Sequence, residues 1–252
     1  MIALEIAVQD ATGARVAADA GADRVELCAA LGATGGVTPS AAMIEAVVAV
    51  GLPAHVLIRC RPGPFVYDTD ELAVMCRDAQ RAVRQGAAGV VVGALTTDRR
   101  LDLPAMARLR DAAKDANPVA EVTCHRAIDV VIGAGGGLVA VDDLINLGTT
   151  RVLTSGGASR ALDGADALAQ LARRAAGRLQ VMAGGGVRLG DIAALAATGI
   201  DAVHLSARAF QRADDGTGPG GGPGDVEITS AEIVRAAAQA VRAVTARAAP
   251  AG

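Results

Sequence analysis

Apolar residues in this chain gather into eight short runs, Ile2–Val8, Arg24–Cys28, Ala54–Arg59, Gly89–Val92, Ala120–His125, Arg151–Leu153, Leu179–Ala183 and Ala202–Leu205. Between them the apolar positions recur with helical spacing, over about 11–20, 40–50, 70–85, 103–116, 139–147, 161–176, 189–198 and 230–247. Strands that alternate with helices imply a parallel sheet. Eight such units are what a closed barrel needs. The expected fold is therefore α/β: a single-domain (β/α)8 TIM barrel of eight parallel strands with outer helices. Four helices end in a glycine just before the next strand, at Gly21, Gly86, Gly148 and Gly199. Glycine suits the left-handed position that closes a helix, and the recurrence reads as a weak internal repeat of stacked βα units.

At 252 residues the chain has the usual length of one such barrel. No Pro/Ser linker divides it, so residues 1–252 are read as one domain. Two segments break the rhythm. Cys60–Thr69 is a longer loop after the third strand and a candidate lid. Ala213–Asp225, rich in glycine and proline, reads as a flexible surface insertion before the last helix. Hydrophobic residues make up 52% of the chain but aromatics only 1%, so Val, Leu, Ile and Ala must fill the core.

The polar residues that end the strands carry the candidate chemistry, because catalytic groups in barrels sit at the strand C-termini. Side chains alternate along a strand, so parity sorts them. Glu5, Glu26, Arg59, His125 and His204 are expected to point inward as one layer of acids, bases and a cation. That is equipment for general acid–base work. The competing reading is an inert ion-pair network closing the barrel bottom or centre. The fifth strand ends in His125-Arg126-Ala127-Ile128-Asp129, which offers a proton carrier, an anion clamp and an orienting carboxylate. Ser155 after the sixth strand, Gly184-Gly185-Gly186 after the seventh, and Ser206 with Arg208 after the eighth form a candidate oxyanion site. Backbone amides next to glycine approach an anion closely.

Composition excludes several classes. The net charge of −3 and the interspersed charges argue against nucleic acid or a membrane surface as partner. Lys114 is the sole lysine and lies in a helix, which rules out Schiff-base chemistry at a strand end. Neither a signal peptide nor an apolar run of about 18 residues is present, so a cytoplasmic location with reduced thiols is expected. The cysteines are Cys28, Cys60, Cys76 and Cys124, and their spacing matches no zinc pattern. Cys28, Cys60 and Cys124 end strands, and soft thiolates select Cu(I). Cys28 is the best placed, sharing a face with Glu26, so Cu(I) is the one candidate cofactor.

Several stretches resemble the CutC family. They are Leu4-Glu5-Ile6, Gly21–Cys28, Gly35–Ser40, Ile58-Arg59, His125-Arg126-Ala127, Leu153–Gly156, Gly184–Val187 and His204–Arg208. The resemblance runs from residue 2 to about 210. It implies a (β/α)8 barrel, a cytoplasmic location, homo-oligomerisation and a role tied to copper homeostasis and copper binding. This chain departs from the family pattern at Ala7, where relatives commonly carry cysteine, and at Cys60 and Ala183, where they carry proline. The charges at the mouth survive these changes better than the thiols do. Two functions follow as expectations: copper binding or trafficking through Cys28 with Cys60 or Cys124, or a cofactor-independent lyase or isomerase acting on a phosphorylated or carboxylated metabolite.

Overall fold

The computed structural model describes residues 2–212 and 225–248. Eight parallel strands close on themselves in sequence order. They are β1 (Ala3–Val8), β2 (Arg24–Leu27), β3 (Ala54–Leu57), β4 (Gly89–Val92), β5 (Glu121–Cys124), β6 (Arg151–Thr154), β7 (Gln180–Ala183) and β8 (Ala202–Leu205). The seam between β1 and β8 pairs Ala3 with Ala202 and Glu5 with His204. The helices are α1 (Ala11–Ala20), α2 (Leu31–Thr34), α3 (Ala41–Val48), α4 (Thr69–Arg84), α5 (Leu103–Ala116), α6 (Ile128–Gly133), α7 (Gly137–Asn146), α8 (Ala165–Ala175), α9 (Ile192–Ala196) and α10 (Ala231–Ala248). No helix among the described residues is long and apolar enough to cross a membrane.

The expected barrel is thus the observed one, and the four cassette glycines all have left-handed backbones. Three features lie outside the pattern. The helix expected over 189–198 divides into a 3-10 turn (Leu189–Asp191) and the five-residue α9. Short α2 and α6 fill βα loops at the mouth. An antiparallel hairpin, β9 (Arg208–Arg212) with β10 (Asp225–Thr229), precedes α10. The Gly/Pro-rich segment lies outside the described residues, apart from Asp225.

One large apolar cluster fills the layer between strands and helices. The barrel interior is different. Two small apolar clusters, Cys28–Leu57–Val91 and Leu153–Met182–Ala202, occupy it. Polar groups take the rest. At the N-terminal end Arg151, only 2% exposed, donates to Gln180 (2.9 Å), Thr123 (3.1 Å) and Glu121 (2.7 Å). His55 Nε2 lies 2.9 Å from the same Glu121 carboxylate, whose pKa is pulled down to about 2 by the His55 and Arg151 bonds against partial burial. A closing ion-pair network therefore exists, built from residues below the candidate layer. A charge in a barrel is tolerated when it is paired and hydrogen-bonded in this way.

Arg151→Ala is expected to lower unfolding stability by about 3 kcal/mol or more, because a large buried side chain and its paired charge go together. Urea denaturation measures it.

Candidate functional site

A cavity of about 430 Å³ opens at the C-terminal ends of the strands. Glu26, Arg59, His125, Arg126, Gly185, Gly186, His204, Ser206 and Arg208 line it, together with Cys28, Phe65 and several aliphatic side chains. Most of the expected site residues are brought together here. Glu5 lies just below, bonded to His204; Gly184, Ser155 and Asp129 do not line the cavity.

The floor is a chain of four ionisable groups on three adjacent strands. Arg24 Nε donates to Glu5 Oε2 at 2.6 Å, and Glu5 Oε1 lies 2.9 Å from His204 Nδ1. His204 Nε2 is 3.4 Å from Glu26 Oε2. Burial opposes ionisation of Glu5, yet the His204 bond and the His204 and Arg24 charges hold its carboxyl well below the usual range. Burial wins at Glu26 and raises its pKa to about 7, against the pull of His204. For His204, burial lowers the pKa, but the Glu5 bond and the two carboxylate charges outweigh it and raise the value. Two carboxylates in contrasting environments, with an imidazole between them, are the arrangement from which acid and base roles emerge.

His125 has a different character. Burial, followed by the nearby Arg59 charge, lowers its pKa to about 3, so the ring is neutral near pH 7. The Ala127 N–H donates to its Nδ1 at 3.1 Å, which places the proton on Nε2, and that buried nitrogen has no partner. His125 is thus a neutral ring with an idle Nε2–H donor and no free acceptor nitrogen. The ring fits because Gly93 directly follows β4: a Cβ there would stand 2.3 Å from the imidazole. Phe65, from the loop at 60–69, packs on His125 with centroids 4.8 Å apart and under the Arg59 guanidinium at 5.0 Å. Leu95 N–H holds the Phe65 carbonyl at 2.8 Å, and Arg61 is tied to Glu71 and to the Pro64 and Val66 carbonyls. The loop expected as a lid is thereby fastened as a wall. Arg61 faces this loop, because β3 ends at Leu57 and parity no longer applies beyond it.

Asp129 orients Arg126, with Nε to Oδ2 at 2.8 Å, and has no bond to His125. Its remaining lone pairs take Thr154 Oγ1 (2.5 Å) and the Ser155 and Gly157 amides (3.0 and 3.2 Å). Ser155 Oγ is held between Asp129, the Ala158 carbonyl and Arg126. Asp129 and Ser155 therefore spend their polar atoms on the loop after β6. Gly184 packs against Leu153 and His204, where a Cβ would stand 2.4 Å from Leu153 Cδ1. Gly185, with φ +105°, lies so close to Arg126 that a Cβ would reach 2.8 Å from its guanidinium carbon. Among the described residues neither the Gly185 nor the Gly186 amide donates to another group. Arg208 is half-exposed and paired with Glu227 of the hairpin at 3.1 Å.

The thiols do not converge. Cys28 lines the cavity, but burial, then the Glu26 and Glu227 charges, push its pKa far up. Cys124 points into the helix-facing core, and burial raises it to about 12. Cys60 and Cys76 also pack against that outer core. Cys28 thus has no second thiolate on its side of the sheet, and a two-thiolate Cu(I) site does not fit these residues. Glu5, Glu26 and His204 offer ligand atoms within 4.8 Å of one another, a hard oxygen–nitrogen set, but both His204 nitrogens already face carboxylates.

Sequence reasoning missed Arg24, Phe65 and Glu227. Arg24 carried a usable signal, since it shares parity with Glu26. Phe65 and Glu227 carried none, because a loop and a hairpin without periodicity place them.

Fold and site together define a (β/α)8 barrel with an acid–base floor and a cation-rich wall at its C-terminal mouth. The CutC family model matches residues 2–209, and the chain belongs to that family. A CutC family protein of Agrobacterium fabrum is 46% identical over 192 residues, covering 76% of this chain and 73% of its own. One from Xanthomonas campestris pv. campestris is 44% identical over 207 residues, 81% of this chain and 83% of the relative. The solved CutC of Streptococcus agalactiae superimposes with a TM-score of 0.75 at 30% identity, over 82% of this chain and 99% of that one.

Glu5→Gln is expected to lose about 3–5 kcal/mol of stability, since it strands the buried Arg24 charge. Gly93→Ala should instead fold and lose ligand binding by displacing the His125 ring. Chemical denaturation and titration calorimetry separate the two outcomes.

Proposed function

We propose that this CutC-family barrel binds a small anionic metabolite at its mouth and moves a proton on it, as a cofactor-independent lyase or isomerase. The hydrogen-bonded Glu5–His204–Glu26 chain beneath cationic walls carries this reading. Near pH 7 Glu5 is ionised and His204 is held toward its charged form, while Glu26 sits at its titration midpoint. Glu26 is therefore the group able to take a proton from the bound molecule and return it, with His204 and Glu5 stabilising either state. Arg126 and the Gly185 and Gly186 amides hold the anion, with Ser206 at the rim. The neutral His125 donates from Nε2. A cytoplasmic setting and self-association accompany the proposal, on the family resemblance.

The printed description of the Streptococcus agalactiae relative speaks of copper homeostasis. A role in copper homeostasis for this chain is compatible with its family membership. The isolated, protonated Cys28 directs that role away from tight thiolate coordination. Competition against a Cu(I) chelator is expected to show weak binding; tight one-to-one binding lost in Cys28→Ser would restore the copper-carrier reading.

Titration with inorganic phosphate tests the anion site directly. Arg126→Ala should weaken phosphate binding about tenfold or more, the usual scale for a lost charge-assisted contact. Unchanged binding in that variant would refute the site.

The pH dependence has a definite sign. Glu26 titrates higher in the folded protein, so its contribution to stability is complete below the unfolded value near 4.5 and is lost as pH rises through about 7. Anion affinity should fall over the same upper range as Glu26 acquires charge. Glu26→Gln is expected to flatten both profiles, read by thermal melts and titrations at pH 5 to 8.5.

A further inference from the structure

Deepening this reading, we infer that the ligand carries two anionic groups on a short carbon chain, one seated on Arg59 and His125, the other on Arg126 with the Gly185 and Gly186 amides.

Arg59 is the first ground. It is only 7% exposed, and no carboxylate of the described residues lies within ion-pair distance of it. Its Nη1 donates to the Thr34 and Gly36 carbonyls (3.0 and 2.9 Å) and its Nη2 to the Gly63 carbonyl (2.9 Å). Carbonyls satisfy donors but cancel no charge. A guanidinium has five N–H donors, and Nε is left buried with no partner. His125 Nε2 is a second orphaned donor, and Phe65 touches both side chains, so the two belong to one patch of wall. A buried cation with idle donors on either side of one ring is a seat awaiting an anion.

The second seat is in another sector, where Arg126 reaches from the end of β5 to the glycine loop after β7. Arg126 spends one donor on Asp129 and one on Ser155, and the rest of its fork faces the cavity. Arg126 and Arg208 are each paired with a carboxylate, Asp129 at 2.8 Å and Glu227 at 3.1 Å. Only Arg126 lies against the glycine loop, whose amides are unpartnered among the described residues, whereas Arg208 is half-exposed on the hairpin, so Arg126 is the second seat and Arg208 is not one. The count of open cationic seats is therefore two. Leu57 and Leu153 line the same cavity of about 430 Å³ as both cations and Glu26, and offer apolar surface to a few carbons. The substrate class is a short dicarboxylate or a phosphorylated carboxylate, with its reacting carbon held over the Glu26–His204 pair.

Titration calorimetry on the whole protein tests this with malonate, succinate, glutarate and phosphonoacetate, against propionate, butyrate, valerate and inorganic phosphate. At least one dianion is expected to bind about tenfold or more tighter than its monoanionic counterpart and than phosphate, the gain of a second charge-assisted seat. Arg59→Gln should erase that advantage while leaving phosphate binding intact, whereas Arg126→Ala should weaken phosphate binding about tenfold or more. If Arg59→Gln does not fold, Arg59→Lys keeps the charge and stem, loses the fork, and should reduce the same ratio. Equal binding of dianions and monoanions, or a ratio untouched in both Arg59 variants, overturns the inference and leaves the single-anion site standing. Failure of every anion, phosphate included, overturns the site itself.

Discussion

The carboxylate of Glu5 is the interaction on which both halves of the barrel interior depend. It is 1% exposed, and its two oxygens face opposite ways, one to Arg24 and the other to His204. Register explains why: Glu5 pairs directly with Arg24 on β2 and with His204 on β8. The three charges therefore lie side by side across the seam where the sheet closes. Glu5 stands between the two cations: their charges keep its carboxyl ionised, its charge draws His204 toward the cationic form, and closure of the barrel and assembly of the floor become one event.

This arrangement determines what the cavity can do. With Glu5 locked as an anion, His204 is drawn toward its cationic form. Glu26 then experiences burial on one side and a positive neighbour on the other, and settles near neutrality. The same burial has the opposite use at His125, where no anion compensates and the ring stays neutral. One interior thus holds an anion, an imidazole drawn toward its cationic form, a titrating acid and a neutral donor. The differences come from which partner each strand register supplies.

Much of this was legible in the chain. Eight apolar runs gave strand order and closure, and parity along each strand brought Glu5, Glu26, His125 and His204 inward, because a strand fixes orientation two residues at a time. Arg59 also reached the cavity, although β3 ends two residues earlier. There it pairs with Thr38, whose hydroxyl accepts the Arg59 amide at 2.8 Å, so the chain stays extended. What parity could not show was how lone pairs are spent. Asp129 and Ser155 stand next to the mouth in sequence, yet their polar atoms are consumed by the loop after β6. The lower network of His55, Glu121 and Arg151 escaped for a related reason: attention to strand ends overlooks strand beginnings, where the same alternation points charges inward.

The family match stops at residue 209, inside the first strand of the β9–β10 hairpin. The strand that follows brings Glu227 back onto Arg208 and against Gly32, where a Cβ would stand 1.9 Å from its carboxylate. The rim of the cavity is therefore a joint product of the shared barrel and a piece of chain beyond it. Such a division lets the charge of the rim vary independently of folding. Changes in the hairpin can free or cap one guanidinium while the Glu5 seam, on which the barrel stands, is left untouched.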